Sequence, residues 1–169
     1  MSEAQHISET PGIVAGIYRA VDLAREAAQV YSSTKVDTDH LLLGLLQERK
    51  KRKNIVAWCL GEFDVTVRKV REQIESMWVP DRRAGEELEF AFTPRLKSVV
   101  DQAWQEARQL GYDIDDDSGI EHLLLGTEHL LLALLEEPEG PAAQILSNLG
   151  VDRTQARQNI MRLLGVEGP

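Results

Sequence analysis

A ten-residue phrase occurs twice in this chain, and it constrains the fold more than any other feature. Residues 37–46 read DTDHLLLGLL and residues 126–135 read GTEHLLLALL. Each copy follows a long amphipathic stretch and precedes a short element that ends in Leu-Gly, at 58–61 and at 147–150. Self-similarity of this kind indicates that one supersecondary unit has been repeated. The sequence therefore predicts two copies of one four-helix unit.

Helical periodicity runs through both halves of the chain, and no segment is convincing as a strand. Aromatic residues make up only 5% of the sequence, so we expect an aliphatic core. Thr38 and Thr127 are expected to cap the two leucine-run helices, and Thr93 followed by Pro94 is a strong helix start. These signals predict an all-α fold. The expected helices cover roughly 11–31, 53–60, 64–78, 94–111, 141–149 and 152–164, with the two leucine-run helices beginning at 38 and 127.

The predicted helices divide into two repeats joined by a linker. Residues 11–78 form the first repeat, and residues 92–165 form the second. The linker covers residues 79–91, where Pro80 and Gly85 break any helix. We expect both repeats to pack into one compact, pseudo-symmetric bundle, because 169 residues suit one domain or two small units fused into one core.

Charge and cysteine content exclude several classes of protein. A net charge of −9 and a pI near 5.0 argue against a nucleic-acid-binding surface, which needs a basic face. The longest apolar runs fall far short of the ~20 residues that span a bilayer, and no signal peptide is visible. The single cysteine, Cys59, rules out an intramolecular disulfide and indicates a reducing compartment. We therefore expect a cytoplasmic protein, or a protein of an organelle stroma after removal of a transit peptide.

A run of five positive charges interrupts this acidic chain after the first leucine run. Two interpretations stay open: a solvated charge cluster, or a docking patch for an acidic partner. Nucleic acid is not favoured, because no aromatic residues interleave the cluster. The run consists of Arg49, Lys50, Lys51, Arg52 and Lys53.

No metal site is predicted, although two patterns were considered. The aspartates at 113, 115, 116 and 117 resemble a calcium loop, but that loop requires Gly and Glu where this chain has Ser118 and Leu124. His122 and His129 are seven residues apart and could share a helical face, but no third zinc ligand stands at a suitable spacing. We expect a solvated acidic loop.

The segment GIEHLLL at 119–125 nearly duplicates the following GTEHLLL, so two registers compete for the start of the second leucine-run helix. Only the downstream register continues into the rest of the leucine run without a gap, and it is therefore expected. If the upstream segment instead extended the helix, Thr127 would lose its capping position.

Three segments of the second half resemble the N-terminal domain of Clp ATPases, most closely the ClpC type: FTPRLKSVVDQAWQEARQLG, GTEHLLLALLEEPEGPAAQILSNLGV and ARQNIMRLLG. The resemblance covers about residues 13–165 and implies a pseudo-twofold pair of four-helix repeats. The first half departs from the family pattern, with Ile13 and Val14 for Phe-Thr, Asp37 for Gly and Asp39 for Glu. The sequence holds no Gly-x-x-x-x-Gly-Lys-Ser/Thr phosphate loop. We expect either a free-standing accessory protein or the N-domain of a larger unfoldase.

The Thr–acid–His triplets are the candidate ligand sites. Backbone N–H groups at a helix N-terminus attract an anion, and a neighbouring carboxylate attracts a guanidinium group. The resemblance implies binding of phosphoarginine-marked substrates at Thr127 and Glu128. It implies the same less directly for Thr38 and Asp39, because aspartate is shorter than glutamate by one methylene. The alternative is that each triplet is only a helix cap.

The combined prediction is a non-enzymatic interaction module of the Clp chaperone–protease system. Its expected partners are Clp ATPase or protease-core subunits and substrate or adaptor proteins, without nucleic acid, membrane, metal or cofactor. The alternative is a structural assembly factor that docks on the protease core and recognises no substrate. Cys59 and His40 do not predict an enzyme, because nothing orients a base or supplies an oxyanion site. We expect Cys59 to be a small buried side chain and His40 and His129 to be buried structural residues.

Overall fold

The structure, a computed structural model, describes residues 15–48, 54–77, 91–111, 113–115, 121–123 and 125–166. Within these residues it has helices and one short hairpin, and the all-α architecture that the periodicity predicts is confirmed. The helices are α1 (Ala15–Val30), α2 (Thr38–Gln47), α3 (Ile55–Gly61), α4 (Val67–Met77), α5 (Pro94–Gln109), α6 (Thr127–Glu136), α7 (Pro141–Asn148) and α8 (Arg153–Leu163), and the strands are β1 (Asp113–Asp115) and β2 (Glu121–Leu123).

The two leucine-run helices, α2 and α6, form the centre of one continuous hydrophobic core. Both are apolar on nearly all sides after the first turn, and a helix of that kind is stable only when other elements surround it. Helix α1 packs along α2, and α5 packs along α6. Helices α4 and α7 contact α2, whereas α8 and α3 contact α6. The first four helices and the last four therefore make equivalent contacts: replacing each of α1–α4 by its counterpart in α5–α8, and the reverse, gives the same set of packing pairs. The repeat limits, 11–78 and 92–165, stay a prediction.

Helix α5 begins where the sequence predicts. Thr93 is the N-cap residue, and its Oγ1 accepts a hydrogen bond from the Leu96 N–H at 3.1 Å, with Pro94 in the first turn. The same hydroxyl donates to Asp37 Oδ1 at 2.9 Å. A parallel bridge between Val36 and Phe92 lies directly beside this contact. The start of α5 in the second half is thus tied to the start of α2 in the first half.

The first two helices approach each other closely at Gly44. A Cβ atom at this position would lie 2.2 Å from the Ala20 carbonyl oxygen and 3.0 Å from the Ala24 backbone nitrogen. The first distance is shorter than real contacts of a Cβ, and the second is at the short end of them, so only glycine fits between the two backbones. The corresponding position of α6 is Ala133, which is buried in the core.

A buried ion pair joins the helices that surround α6. Glu106 of α5 has a side chain that is only 4% exposed, and it receives two hydrogen bonds from Arg157 of α8, at 3.0 and 3.3 Å. Arg157 also contacts the exposed carboxylate of Glu136 at the end of α6, at 3.2 Å. The forked geometry satisfies both oxygens of the buried carboxylate, which is the condition under which such a group is tolerated in a core.

A two-stranded antiparallel hairpin precedes α6, and the expectation that the chain holds no strand is therefore wrong. Asp113 pairs with Leu123, and Asp115 pairs with Glu121. The sequence between the strands is DDSGI, and its Asp, Ser and Gly residues favour turns. The upstream copy GIEHLLL contributes β2, so the prediction that the helix begins in the downstream register is confirmed. His122 lies in β2 and His129 in α6, so they do not share a helical face.

Candidate functional site

The N-terminus of α2 is capped by Asp37 rather than by Thr38, so the predicted Thr38 cap is wrong. Asp37 has extended backbone angles, and its Oδ1 accepts from the Thr38 N–H at 2.7 Å. Thr38 is the first helical residue and is fully buried. Its Oγ1 accepts from the Ala142 N–H of α7 at 3.2 Å, and α7 begins after Gly140, which has no capping side chain. The threonine hydroxyl thus caps a helix of the other half.

The N-terminus of α6 is capped by Gly126, so the predicted Thr127 cap is also wrong. Glycine offers no side-chain acceptor to the first-turn N–H groups of α6. The Glu128 carboxylate lies over this position: a Cβ at Gly126 would meet Glu128 Oε1 at 2.3 Å. The carboxylate therefore occupies the space of a capping side chain, next to the positive end of the helix dipole. Thr127 and Glu128 are both half-buried.

His40 and His129 are both buried and hydrogen-bonded, as the sequence predicts. His40 Nδ1 accepts from the Asp37 N–H at 3.0 Å, and His129 Nδ1 accepts from the Gly126 N–H at 2.9 Å. Each histidine therefore plays the part of the Glu or Gln that closes a capping box from the third helical position. Sequence analysis missed this role, although the three-residue spacing from the cap to the histidine is its signal.

His129 is expected to make the protein less stable at mildly acidic pH. Burial lowers the pKa of His129 from its ordinary value, although Glu128 and Glu106 act in the opposite direction. The unfolded chain therefore takes up a proton on this side chain at a higher pH than the folded chain. The stabilisation is complete above pH ~6.5 and is lost as the pH falls from there towards the folded-state pKa.

The measurement is the midpoint of urea unfolding at pH 8 and at pH 5.5, compared with the variant His129→Gln. Glutamine also closes a capping box but does not titrate. The native chain should lose more stability over this interval than the variant. An equal loss in both proteins would show that His129 is not the titrating group.

Asp39 lines an open cavity of about 450 Å³, together with Arg95, Glu139 and Gln144. Its side chain is 13% exposed, and Oδ1 accepts from the His40 N–H at 2.9 Å. Burial raises the pKa of Asp39, and the neighbouring His40 partly offsets the shift. The cavity is thus lined by both a desolvated carboxylate and a guanidinium group, which are the two groups that a zwitterionic side chain would contact.

The two predicted sites lie at separate places in the fold. Thr38 lies beside Glu137, the residue that follows α6, because both approach Gly140. Thr127 lies beside Glu48, the residue that follows α2, because both approach Gly16. Helices α2 and α6 are therefore antiparallel, and each N-terminus lies beside the C-terminus of the other helix. Because each helix has ten residues and rises 1.5 Å per residue, the two N-termini are about 15 Å apart. The basic run at 49–53, predicted as a docking patch, lies outside the described residues.

Cys59 is part of the hydrophobic core. Cys59 is fully buried as predicted, and its Sγ donates to the Ala156 carbonyl at 3.4 Å. Burial raises the pKa of its thiol to about 11, so the reactive thiolate is scarce at neutral pH. Among the described residues, no cluster of three or more His, Cys, Asp or Glu is placed to hold a metal ion. No helix in the described part of the chain is long and apolar enough to cross a membrane.

Comparison with known proteins identifies the family. The family model of the Clp repeat N-terminal domain matches residues 15–127 and 120–167. The chain is 35% identical over 147 residues to "Negative regulator of genetic competence ClpC/MecB" of Bacillus subtilis and to "Chaperone protein ClpB" of Oceanobacillus iheyensis. It is 36% identical over 148 residues to the chloroplastic chaperone protein ClpC of Pisum sativum. Each match covers 87% of this chain, which spans 16% of the two bacterial relatives and 14% of the plant one.

Solved structures show the same fold. The N-terminal domain of ClpD from Arabidopsis thaliana aligns with a TM-score of 0.67 at 21% identity, over 90% of this chain and 97% of that one. The Hsp104 N-terminal domain from Candida albicans aligns with a TM-score of 0.64 at 18% identity, over 88% and 89% of the two chains. Together with the sequence matches, they show that this chain belongs to the Clp repeat N-terminal domain family.

Proposed function

We propose that this chain is a non-enzymatic interaction module of a Clp chaperone–protease system, and that it recognises phosphoarginine-marked polypeptides at the N-terminus of α6. The observation that carries the proposal is that Gly126, Thr127 and Glu128 place first-turn backbone N–H groups beside a carboxylate. A phosphorylated guanidinium carries an anionic and a cationic part only a few bonds apart. A short surface that offers both N–H donors and a carboxylate can therefore bind both parts of the phosphorylated guanidinium.

The chemistry divides between the backbone and the side chain. The His129 N–H of the first turn bonds to the Gly126 carbonyl at 3.1 Å, so the Thr127 and Glu128 N–H groups are the donors for a ligand. The helix dipole adds positive potential there, so the phosphoryl oxygens bind at these two groups. Because Gly126 provides no capping acceptor, a ligand oxygen competes only with the Glu128 carboxylate. Glu128 can turn away from the backbone and accept hydrogen bonds from the guanidinium group.

The N-terminus of α2 is a weaker candidate by the same reasoning. Asp37 accepts from the Thr38 N–H, and Asp39 accepts from the His40 N–H. Two carboxylates of the chain therefore already occupy the donors that a phosphoryl group would need, and their negative charge opposes an anion. The Asp39 cavity with Arg95 remains a place where such a side chain could contact the chain more loosely.

Calorimetric titration with free phosphoarginine tests the proposal. We expect saturable binding, at least ~10-fold weaker binding in Glu128→Ala, and little change in Asp39→Ala, the matched variant in the other copy. Loss of Glu128 should lower the free energy of unfolding by no more than about 1 kcal/mol, because the carboxylate is partly exposed at a helix end. A large loss of stability, or equal binding by Glu128→Ala and the native chain, would contradict a ligand role.

Partners and location follow from the same proposal. The relatives include proteins named as a Clp chaperone and as an ATP-binding subunit of Clp protease, so we propose that this chain binds substrates, adaptors or Clp subunits. Cytoplasm or an organelle stroma fits, because matched relatives include chloroplastic proteins.

A non-enzymatic role is supported because Cys59 and His40 are each hydrogen-bonded to backbone groups elsewhere. Absence of phosphoarginine binding together with binding to an isolated protease core would favour a structural assembly factor instead.

A further inference from the structure

The carboxylate of Glu48 is buried, and among the described residues one of its oxygens has no hydrogen-bond donor. Glu48 is the first residue after α2, and 6% of its surface is exposed. Within the described residues, no donor reaches its Oε1 atom. A carboxylate oxygen that is removed from water without a replacement hydrogen bond is unfavourable, so this position would be stabilised by a cationic donor.

The equivalent glutamate of the second half, Glu137, has hydrogen-bond donors to both of its carboxylate oxygens. Glu137 also follows a ten-residue leucine-run helix. Its Oε2 accepts from the Gly140 N–H at 2.7 Å, and its Oε1 accepts from the Glu139 N–H at 3.1 Å. Arg95 also forms a salt bridge with Glu137, with 3.5 Å between Nε of Arg95 and Oε1 of Glu137.

Gly16 occupies the place in the first half that Arg95 occupies in the second. Gly16 is the second residue of α1 and Arg95 is the second residue of α5, and both helices have 16 residues. A Cβ on Gly16 would lie 3.7 Å from Glu48 Oε2 and 3.5 Å from Cγ2 of Thr127, which are ordinary contact distances. The chain therefore retains the glutamate of this pair and has no arginine at position 16, where a side chain would contact Glu48 and Thr127 beside the N-terminus of α6.

We propose that Glu48 binds the guanidinium group of an arginine side chain on a partner polypeptide, in the position that Arg95 fills beside Glu137. A planar guanidinium group matches a carboxylate because its N–H groups bond to both oxygens at once. The net charge of −9 attracts basic segments over a longer range. This inference rests on the proposed function as an interaction module, and it adds unmodified arginine as a second recognised group, next to the α6 site.

NMR titration of the full chain with the peptide acetyl-Gly-Gly-Arg-Gly-Gly-amide tests the inference. The backbone amides of Gly16 and Glu48 should shift with a saturable dependence on peptide concentration. The same peptide with citrulline keeps the shape of arginine without its charge, and it should bind at least ~10-fold more weakly. The variant Glu48→Gln should weaken binding of the arginine peptide to a similar degree.

Two variants at position 16 provide a matched control. Gly16→Arg supplies a guanidinium group from the chain itself, so it should abolish peptide binding and raise the Tm above that of Gly16→Ala. Gly16→Ala adds only a Cβ, for which there is room, and should bind the peptide as the native chain does. The gain in Tm of Gly16→Arg should disappear when Glu48→Gln is combined with it.

Three results would overturn the inference: no shift in the native chain, equal binding of the citrulline peptide, or unchanged binding by Glu48→Gln. The outcome is separable from that of the proposed function, because the peptide carries no phosphoryl group. Loss of phosphoarginine binding in Glu128→Ala reports on the α6 site, whereas the unphosphorylated peptide reports on Glu48. The phosphoarginine site at α6 can therefore be refuted while the Glu48 inference holds, and the reverse is also possible.

Discussion

Replacement of Gly44 by alanine should destabilise the protein by about 3 kcal/mol, the upper range for overpacking of a well-filled core. The added Cβ would stand 2.2 Å from the Ala20 carbonyl oxygen, which is backbone and cannot rotate away as a side chain would. Helices α1 and α2 must therefore separate, and this loosens apolar contacts along the whole length of their interface. Urea unfolding followed by circular dichroism gives the change in free energy.

The second repeat provides the control for this variant. Ala133 stands in the same place of the duplicated phrase, and its methyl group is buried in the core. Ala133→Gly should cost about 1 kcal/mol, mainly through the lower helix propensity of glycine. A loss below about 1 kcal/mol in Gly44→Ala would mean that α1 and α2 are not held as closely as the structure has them.

Replacement of Arg157 by methionine should destabilise the protein by about 3–5 kcal/mol, because it leaves a buried carboxylate without its counter-ion. Of the hydrogen bonds in the described part of the chain, Glu106 would keep the one from Gln102, at 3.3 Å, in a site where its side chain is 4% exposed. Methionine retains much of the apolar stem of arginine, so the loss measured in urea unfolding reports on the charge rather than on the packing.

Two further variants separate the buried pair from the exposed one. Glu136→Ala removes the other partner of Arg157, whose side chain is 53% exposed, and should change stability by less than about 1 kcal/mol. The double variant Glu106→Leu, Arg157→Met should recover most of the loss, because no uncompensated charge remains. If the double variant is as unstable as Arg157→Met alone, the carboxylate is not the cause.

Features of the fold that depend on neighbouring residues could be predicted from the sequence. Thr93 and Pro94 mark the start of α5 because a capping hydroxyl and a fixed φ angle act within one turn. The leucine runs predict buried helices because few polar residues interrupt them. The hairpin before α6 was missed because the segment that forms β2 copies a phrase that is helical elsewhere, so local composition could not decide between the two structures.

Features that depend on contacts between distant residues could not be predicted. Both Asp37 and Thr38 are good capping residues. Which of the two caps α2 is linked to Ala142, 104 residues from Thr38. The Ala142 N–H donates a hydrogen bond to the Thr38 hydroxyl, which is therefore engaged at α7. Glu48 likewise resembles any charged residue at the end of a helix. Its burial, and the absence of a donor to Oε1 among the described residues, depend on tertiary packing that the local sequence does not reveal.

The caps that cross between the two halves limit how the duplicated sequence can diverge. Thr93 of the second half donates to Asp37 of the first, and Thr38 of the first accepts from Ala142 of the second. Each half thus provides a hydrogen-bond partner at a helix end of the other. A substitution at Thr38 would therefore remove the acceptor for the Ala142 N–H at the start of α7. A mutation in one copy can therefore destabilise a helix of the other copy, so the two copies are not free to change independently.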